Sequence, residues 1–366
     1  MSNGLPKEDI LQFGLQYYRF VGENISYTPR KLYIYRFLNI FILITILCCV
    51  IENCIREEGL HLIKGVEAII TIFHILIKYI LFIHNKSEIN AVISDRLKFW
   101  QPDPNDLEQG KFWRRLHCLT KIQQAALLIA VIISMDYYML KPYFNSLDVF
   151  PFPIRTHRSE FWTDVALLVM QYYCLWMVTA TVMTYDVTYF ALCIHIIVQL
   201  RLLTCKLSHK TTNMKEELRT CIVHHQLQSR VFLKLQGIYS WMLMVQYFMC
   251  LIMTCVQLYI LSTRKVGIAD TFELVLYVVS MYSQFGYYSI PVEAIHSGFA
   301  EVGNAVYMST WYENEVVTQK HVLAMMTYAQ NSKYLTGCGI ILINVDAFGS
   351  VFRKSFSLYV ALKNLL

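Results

Sequence analysis

The sequence predicts an all-α polytopic membrane protein with seven transmembrane helices, a cytosolic N-terminus and long helices that project into a cytosolic anchor bundle. Hydrophobic residues make up 56% of the chain and charged residues only 16%, with a mean hydropathy of +0.40, whereas soluble domains carry about a quarter charged residues. Apolar runs of about 20 residues, the length that a spanning helix needs, recur along the chain. They lie near 34–53, 63–83, 122–140, 161–185, 239–262, 271–291 and 337–362.

The distribution of Lys and Arg predicts the orientation of these spans. Most of the positive residues beside span ends fall on the side that holds the N-terminus and the loops 86–121 and 201–234. Positive loops remain in the cytosol during insertion, so we expect the N-terminus inside and the C-terminus outside. This orientation is the reverse of that of a G-protein-coupled receptor. Six spans remain the alternative to seven, because the last run is the least apolar.

The last predicted helix carries a narrow polar stripe. Side chains at steps of three or four fall on one face of a helix, since each residue turns by about 100°. The polar stripe consists of Asp346, Ser350, Arg353, Ser357, Ala361 and Asn364. A membrane helix that is apolar on its other sides turns such a face to water or to protein. The stripe therefore indicates the wall of an ion pore shared by several copies, or else a polar seam packed inside one bundle.

Two predicted helices are too long for the membrane. Residues 160–209 contain neither Pro nor Gly and would form a helix of about 75 Å, although the hydrocarbon core is only about 30 Å thick. The pattern over 213–261 is again helical, so the inner parts of both helices should form a cytosolic bundle.

These observations divide the chain into six predicted segments. They are 1–33 as a cytosolic N-terminal segment, 34–200 as transmembrane helices one to four, 201–238 as a cytosolic helical extension, 239–295 as transmembrane helices five and six, 296–334 as a cytosolic anchor helix, and 335–366 as a pore-lining seventh helix.

Isolated charges in the apolar runs need separate explanations. Lys78 lies near the inner end of its span, where a long side chain can extend its ammonium to the membrane surface. Arg353 belongs to the polar stripe, where an unpaired cation would oppose cation flow, so we expect it to pair with Asp346 or with a neighbouring subunit.

Three motifs in the C-terminal half resemble those of the insect odorant receptors. Residues 304–312 read NAVYMSTWY and resemble the family signature A-V-Y-x-S-x-W-Y. Residues 221–225, CIVHH, resemble C-I-x-H-H, and residues 355–362, SFSLYVAL, resemble the closing S-[YF]-S-x-F-x-L-L segment. The order of the motifs also agrees, whereas the first 210 residues match only in hydropathy and length. The ending typical of gustatory receptors is absent.

The resemblance implies a tetrameric ligand-gated cation channel in the plasma membrane of a sensory neuron dendrite. At 366 residues the chain is short for the shared co-receptor Orco and looks like a ligand-tuning subunit that assembles with Orco in a heterotetramer. Its implied partners are a small volatile odorant, membrane lipid, and the monovalent and divalent cations that cross the pore. Aligning the chain ends places Ser357, Ala361, Asn364 and Leu365 along the pore, with Ala361 at the gate position, where larger aliphatic residues are usual. The anchor contacts between subunits fall on Trp311 and Tyr312.

The resemblance also places an odorant pocket in the outer half of the membrane, among helices two, three, four and six. Its residues are chosen here by depth, and ordinary core packing is the alternative for each of them. Such a pocket is mostly apolar with a few polar groups that orient a ligand, which suits a small, uncharged and largely apolar volatile. The chosen residues are Ile69, Ile70, Phe73, Ala130, Ser134, Tyr137, Tyr138, Leu167, Met170, Gln171, Tyr172, Tyr277, Ser280 and Met281.

Other function classes are disfavoured. The orientation and the absence of D-R-Y and N-P-x-x-Y motifs argue against a G-protein-coupled receptor. Transporters usually show internal repeats with broken helices, and neither is found. The sequence contains no nucleophile–base pair, phosphate-binding loop, metal-ligand spacing or polybasic stripe for nucleic acid, so we expect no enzyme, no cofactor, no metal and no nucleic-acid partner. A seven-helix receptor, a gustatory-type homomeric channel with another class of ligand, and a purely structural subunit remain the alternatives.

Overall fold

The computed structural model describes residues 10–19, 21, 30–56, 60–102, 106–144, 150, 152–154, 161–208, 214–263, 268–331 and 334–365. Most of them are helical. The helices are α1 (Ile10–Leu15), α2 (Arg30–Arg56), α3 (Leu60–Asp95), α4 (Leu107–Phe144), α5 (Phe161–Ser208), α6 (Met214–Thr263), α7 (Ile268–Met308), α8 (Val316–Gln330) and α9 (Val345–Leu365), and the strands are β1 (Leu335–Gly337) and β2 (Ile341–Ile343). Single 3-10 turns lie at Gln16–Arg19, Arg96–Lys98 and Trp311–Glu313.

The predicted all-α polytopic class is confirmed. Within the described residues, α2 to α6 are each long and apolar enough to cross a bilayer, and α7 and α9 lie at the two remaining predicted spans. The hydropathy of α7 is lowered by tyrosines and serines between Tyr277 and Ser289, and that of α9 by its polar stripe. The cytosolic position of the N-terminus stays a prediction.

The excess length of two helices is also confirmed. Helix α5 has 48 residues and α6 has 50, which at about 1.5 Å per residue gives more than twice the thickness of a hydrocarbon core. No Pro interrupts either helix, and the single glycine of α6, Gly237, is tolerated within it.

The chain divides into two compact units. The first comprises Met1–Lys86 and His117–Ala191, and the second comprises Ser87–Leu116 and Leu192–Leu366. Helices α3, α4 and α5 are each divided between the two units, with one part of the helix in the first unit and the other part in the second.

A buried ion pair lies in the first unit. The Lys78 ammonium contacts both carboxylate oxygens of Asp186, at 2.7 and 3.0 Å, and neither residue is more than 1% exposed. The expectation that Lys78 extends to the membrane surface is therefore wrong. A carboxylate 108 positions away in the chain stabilises the ammonium inside the unit, where an unpaired charge would be costly.

The N-terminal helix α1 packs into the first unit. Ile10 and Leu11 are at most 1% exposed, and the Ile10 carbonyl accepts a hydrogen bond of 3.0 Å from the Gln124 amide. Gly14 lies so close to α5 that an added Cβ would stand 3.0 Å from the Thr188 hydroxyl. An alanine at position 14 would therefore require Thr188 or Val187 of α5 to shift by a few tenths of an ångström.

Four of the five motif residues of α6 are buried in the second unit, and Val223, at the variable position of the motif, is exposed. His224 stacks on Trp100 with 3.8 Å between ring centroids. The Gln199 side-chain amide accepts a hydrogen bond from the Trp100 N–H at 2.8 Å and donates one to the Trp100 carbonyl at 3.0 Å. His225 makes edge-on contacts with Phe299 and Tyr328. The C-I-x-H-H resemblance thus corresponds to an aromatic core of the second unit.

A β-hairpin, Leu335–Ile343, stands where the sequence predicted the start of the last helix. Its strands pair antiparallel, with Leu335 opposite Ile343, and its turn contains two residues of positive φ, Cys338 and Gly339. Gln236 of α6 both donates to the Thr336 carbonyl (2.8 Å) and accepts from its N–H (2.7 Å). The hairpin therefore fixes the base of α9 against α6, and α9 begins at Val345.

Candidate functional site

The predicted pocket residues of the first unit border a mixed apolar cluster. This cluster, here called the α2–α5 cluster, is formed by buried side chains of three helices and one inter-helix loop, with partly buried methionines of α4 packed against it. Its buried members are Ile42, Leu43, Ile46, Val50, Ala68, Ile72, Phe152, Cys174 and Leu175. Of the predicted pocket residues, Ile69, Met170 and Tyr172 pack against the cluster.

Gln171 is the polar group of this region. Its side chain is fully buried, and its carbonyl oxygen accepts a hydrogen bond of 2.9 Å from the backbone N–H of Phe152. Its amide nitrogen has no hydrogen-bond partner in the described part of the chain. Cys174 and Leu175, one turn further along α5, belong to the cluster, so Gln171 lies on the face of α5 that turns toward it.

The remaining predicted pocket residues are placed differently. Phe73 is 47% exposed, Ala130 is also exposed, and the Ser134 hydroxyl bonds the carbonyl of Ala130 in its own helix. Ile70, Tyr137 and Leu167 are half-buried, and the side chain of Tyr138 lies outside the described residues. Tyr277, Ser280 and Met281 belong to the second unit, where Ser280 is exposed and the other two are half-buried.

The structure adds polar residues that the depth argument missed. Tyr173 donates a hydrogen bond of 2.6 Å to the Asn39 side chain, which in turn donates to the Tyr79 hydroxyl at 3.0 Å. Asn39 is fully buried in the middle of an apolar run. A single amide in such a run is a signal that sequence reasoning could have used, because buried polar groups require partners.

The polar stripe lies on the side of α9 that its own unit leaves uncovered. Val351 and Ser355 are fully buried, and the Ser355 hydroxyl bonds the Leu251 carbonyl of α6. The neighbouring Phe348 contacts Tyr282 and Phe285 of α7. The stripe is centred about 180° around the helix from this buried face. Asp346, Arg353, Ser357 and Ala361 are exposed and Ser350 is half-buried, whereas the side chains of Asn364 and Leu365 lie outside the described residues.

A groove of about 360 Å³ borders the N-terminal part of the stripe, between the hairpin, α6 and α9. The groove contains two cationic side chains, Arg353 and Lys354, which differ in their contacts. The Lys354 ammonium donates to the Tyr247 hydroxyl at 2.8 Å. Arg353 forms no ion pair with Asp346 among the described side chains, so the expected pairing within one chain is not found.

The predicted subunit-contact residues lie on an exposed apolar surface. Trp311 and Tyr312 contact each other edge-on in the turn between α7 and α8, and Tyr312 is 61% exposed. Exposed apolar residues continue on both sides of this turn, and this surface is here called the α7–α8 surface. It comprises Tyr307, Met308, Tyr312, Val316, Val317 and Leu323.

One titratable group next to the hairpin has a shifted pKa. Burial and the neighbouring Glu293 raise the pKa of Tyr334, whose hydroxyl lies 3.4 Å from the Glu293 carboxylate and whose ring stacks on His296. The phenol is therefore neutral at physiological pH and acts as a packing group. No three His, Cys, Asp or Glu side chains of the described ranges are grouped so as to hold a metal ion.

Comparisons with known proteins agree with this geometry. The sequence model of the family described as 7tm odorant receptor matches residues 58–356. Two solved structures of the insect olfactory receptor OR5 from Machilis hrabei, one of them in complex with eugenol, superpose on the chain with a TM-score of 0.78. They are 14% and 15% identical to it, and the match covers 98% of both chains. No curated protein sequence matches the chain significantly.

Proposed function

This chain belongs to the 7tm odorant receptor family, and on that premise we propose that it is the odorant-sensing subunit of a heteromeric, ligand-gated, non-selective cation channel. Family membership makes it a multi-pass odorant-sensing receptor and not an enzyme. The proposal adds that a volatile binds in the outer half of the transmembrane bundle and opens a central pore lined by α9.

The position of the polar stripe carries the proposal. A helix that lines a shared pore must bury its apolar side against its own subunit and turn its polar side to the axis. Helix α9 agrees with this arrangement in that Val351 and Ser355 are buried while Ser357 and Ala361 on the opposite side are exposed. Its exposed apolar residues, Phe352, Phe356, Leu358 and Val360, would face lipid or a neighbouring subunit. A polar seam inside one bundle would instead bury the stripe within the chain. Asn364 and Leu365 extend the same path on the basis of the family resemblance.

The α2–α5 cluster supports the sensing role. It combines buried aliphatic side chains with partly buried methionines and tyrosines, and the buried amides of Gln171 and Asn39 lie beside it, a composition typical of pockets for small, mostly apolar ligands. Eugenol, which is bound in one of the OR5 structures, belongs to this class of ligand. We therefore expect this chain to respond to a small, uncharged volatile.

The α7–α8 surface supports the assembly. Exposed apolar residues around Trp311 and Tyr312 would be unfavourable in a monomer and are typical of protein interfaces. We propose that this surface contacts neighbouring subunits, including the Orco co-receptor, on the cytosolic side of the plasma membrane. The motif that resembles the family signature, residues 304–312, contains three of its members.

A matched pair of substitutions tests the pore assignment. Ala361→Leu enlarges an exposed residue of the stripe, whereas Val360→Leu places the same side chain at the neighbouring position, about 100° around the helix from Ala361. Because conduction depends on the width of the narrowest part of the pore, Ala361→Leu should lower single-channel conductance or open probability severalfold, and Val360→Leu should leave both unchanged. The measurement is single-channel recording of each variant together with Orco. If both variants conduct like the parent channel, other subunits form the pore.

A further inference from the structure

We propose that the buried amide of Gln171 selects ligands that carry a hydrogen-bond acceptor oxygen, such as ketones, aldehydes, esters and ethers. The proposal rests on the proposed function, because it assigns the class of ligand to the same sensing unit. The amide would bind these compounds in preference to hydrocarbons of equal size and shape, and to ammonium compounds, because neither class carries a hydrogen-bond acceptor.

The orientation of the Gln171 amide is fixed by its neighbour. The atom that faces the Phe152 N–H at 2.9 Å must be the carbonyl oxygen, because a backbone N–H can only donate. The other atom is therefore the –NH2 group, a donor of two hydrogen bonds. It is buried and has no partner within the described chain.

A buried donor without a partner is unfavourable in the empty protein. Such groups are rare in native structures and require an explanation, such as a bound ligand or water that supplies the acceptor. Gln171 lies on the face of α5 that packs on the α2–α5 cluster, whose buried members are aliphatic, aromatic or sulfur-containing and carry no oxygen or nitrogen in the side chain. A ligand oxygen entering this cluster would supply the missing acceptor while its carbon skeleton contacts the apolar side chains.

Gln171 also holds the loop residue Phe152, which is a buried member of the cluster. Phe152 is 5% exposed, and its position over the helices depends on the hydrogen bond to the Gln171 carbonyl. Gln171 therefore has a structural role and a recognition role, carried by different atoms of one amide. An experiment must separate them, and the ratio of affinities for two ligands of equal shape does so, since loss of the Phe152 contact affects both ligands alike.

Matched ketone and methylidene compounds provide such ligands. Acetophenone and α-methylstyrene differ by C=O against C=CH2, as do 2-heptanone and 2-methyl-1-heptene. For the parent protein we expect each ketone to bind about tenfold more tightly than its hydrocarbon partner, the ratio that corresponds to about 1.4 kcal/mol. Gln171→Leu should reduce this ratio to about one by weakening ketone binding. Gln171→Met serves as a second variant of more similar length if the leucine variant folds poorly.

Gln246→Leu is the matched control. Gln246 is also fully buried, and neither its amide oxygen nor its nitrogen has a partner in the described chain, but it belongs to the second unit. Its substitution should leave the ketone-to-hydrocarbon ratio unchanged. Ratios are obtained from the ligand-induced shift in melting temperature of the purified protein and, independently, from odorant-evoked currents.

The two readouts separate this inference from the proposed function. Ketone-selective stabilisation that depends on Gln171 but evokes no current supports the inference and contradicts the channel. Equal binding of ketones and hydrocarbons by the parent protein, an unchanged ratio in both Gln171 variants, or no shift and no current with any pair overturns the inference. An unchanged ratio would show that the Gln171 amide does not set the preference for ketones.

Discussion

Lys78→Met should destabilise the protein by about 3–5 kcal/mol, because it leaves the Asp186 carboxylate buried without its cation. The two groups lie 2.7 Å apart and are at most 1% exposed. Thermal unfolding of the detergent-solubilised protein, followed by size-exclusion chromatography, measures the effect. We expect a lower melting temperature and a reduced amount of protein at the cell surface.

The double variant Lys78→Met/Asp186→Leu provides the control for this ion pair. Replacing both partners with apolar residues of similar volume removes the buried charges together, and such replacements are often neutral or stabilising. The double variant should therefore recover most of the loss. A single variant as stable as the parent, or a double variant less stable than either single one, would show that the pair does not stabilise the unit.

Gly337→Ala should destabilise the attachment of the hairpin to α6 by about 3 kcal/mol, the upper end of the usual range for overpacking. A Cβ at this position would stand 2.9 Å from the Met244 Cα and 3.0 Å from its backbone nitrogen. A helix backbone cannot rotate away as a side chain can, so the hairpin would have to move. Because α9 begins immediately after the hairpin, we also expect loss of ligand-evoked current.

Gly237→Ala is also a change of glycine to alanine, but it should stabilise the protein instead of destabilising it. Gly237 is an exposed glycine in α6, and no atom lies within 4 Å of the position of its added Cβ. Alanine there should stabilise the helix by about 0.5–1 kcal/mol, since glycine loses more conformational entropy on folding. Melting temperatures of the two variants, measured side by side, should therefore shift in opposite directions. A shift of the same sign in both would contradict the close packing of Gly337 on α6.

Periodicity was sufficient to predict α9 and its polar stripe. The 3.6-residue repeat of a helix depends only on local geometry, so the residues opposite Ser357 and Ala361 could be identified before their packing was known. The structure places Val351 and Ser355, on that opposite side, in the core. The lengths of α5 and α6 were predictable for the same reason, since an uninterrupted run without Pro can be read directly from the sequence.

The partners of buried polar groups could not be predicted in this way. Lys78 and Asp186 lie 108 residues apart, and Asn39 and Tyr173 lie 134 apart. Neither the hydropathy nor the local pattern of a run indicates which distant helix will face it. The pocket residues chosen by depth show the same limit: Ile69 and Tyr172 pack against the α2–α5 cluster, but Phe73, on the same helix as Ile69, is 47% exposed.

The hairpin was missed although a signal was present. Residues 335–343, LTGCGIILI, are almost entirely apolar and were included in the last span because hydropathy does not distinguish a short buried strand from a helix. Gly337 and Gly339 were the available warning, since two glycines separated by one residue typically mark a turn. The positive φ angles of Cys338 and Gly339 agree with that interpretation.

Odorant-evoked current in cells that express this chain together with Orco tests the central claim most directly. The claim is that the chain senses a small volatile and, with its partner, conducts cations. Cells expressing both subunits should show inward cation current with a panel of uncharged volatiles, and cells expressing this chain alone or Orco alone should not show it with the same compounds. Current from this chain alone would indicate a homomeric channel. A panel that evokes the same responses with and without this chain, although it reaches the cell surface, would contradict its role as the sensing subunit.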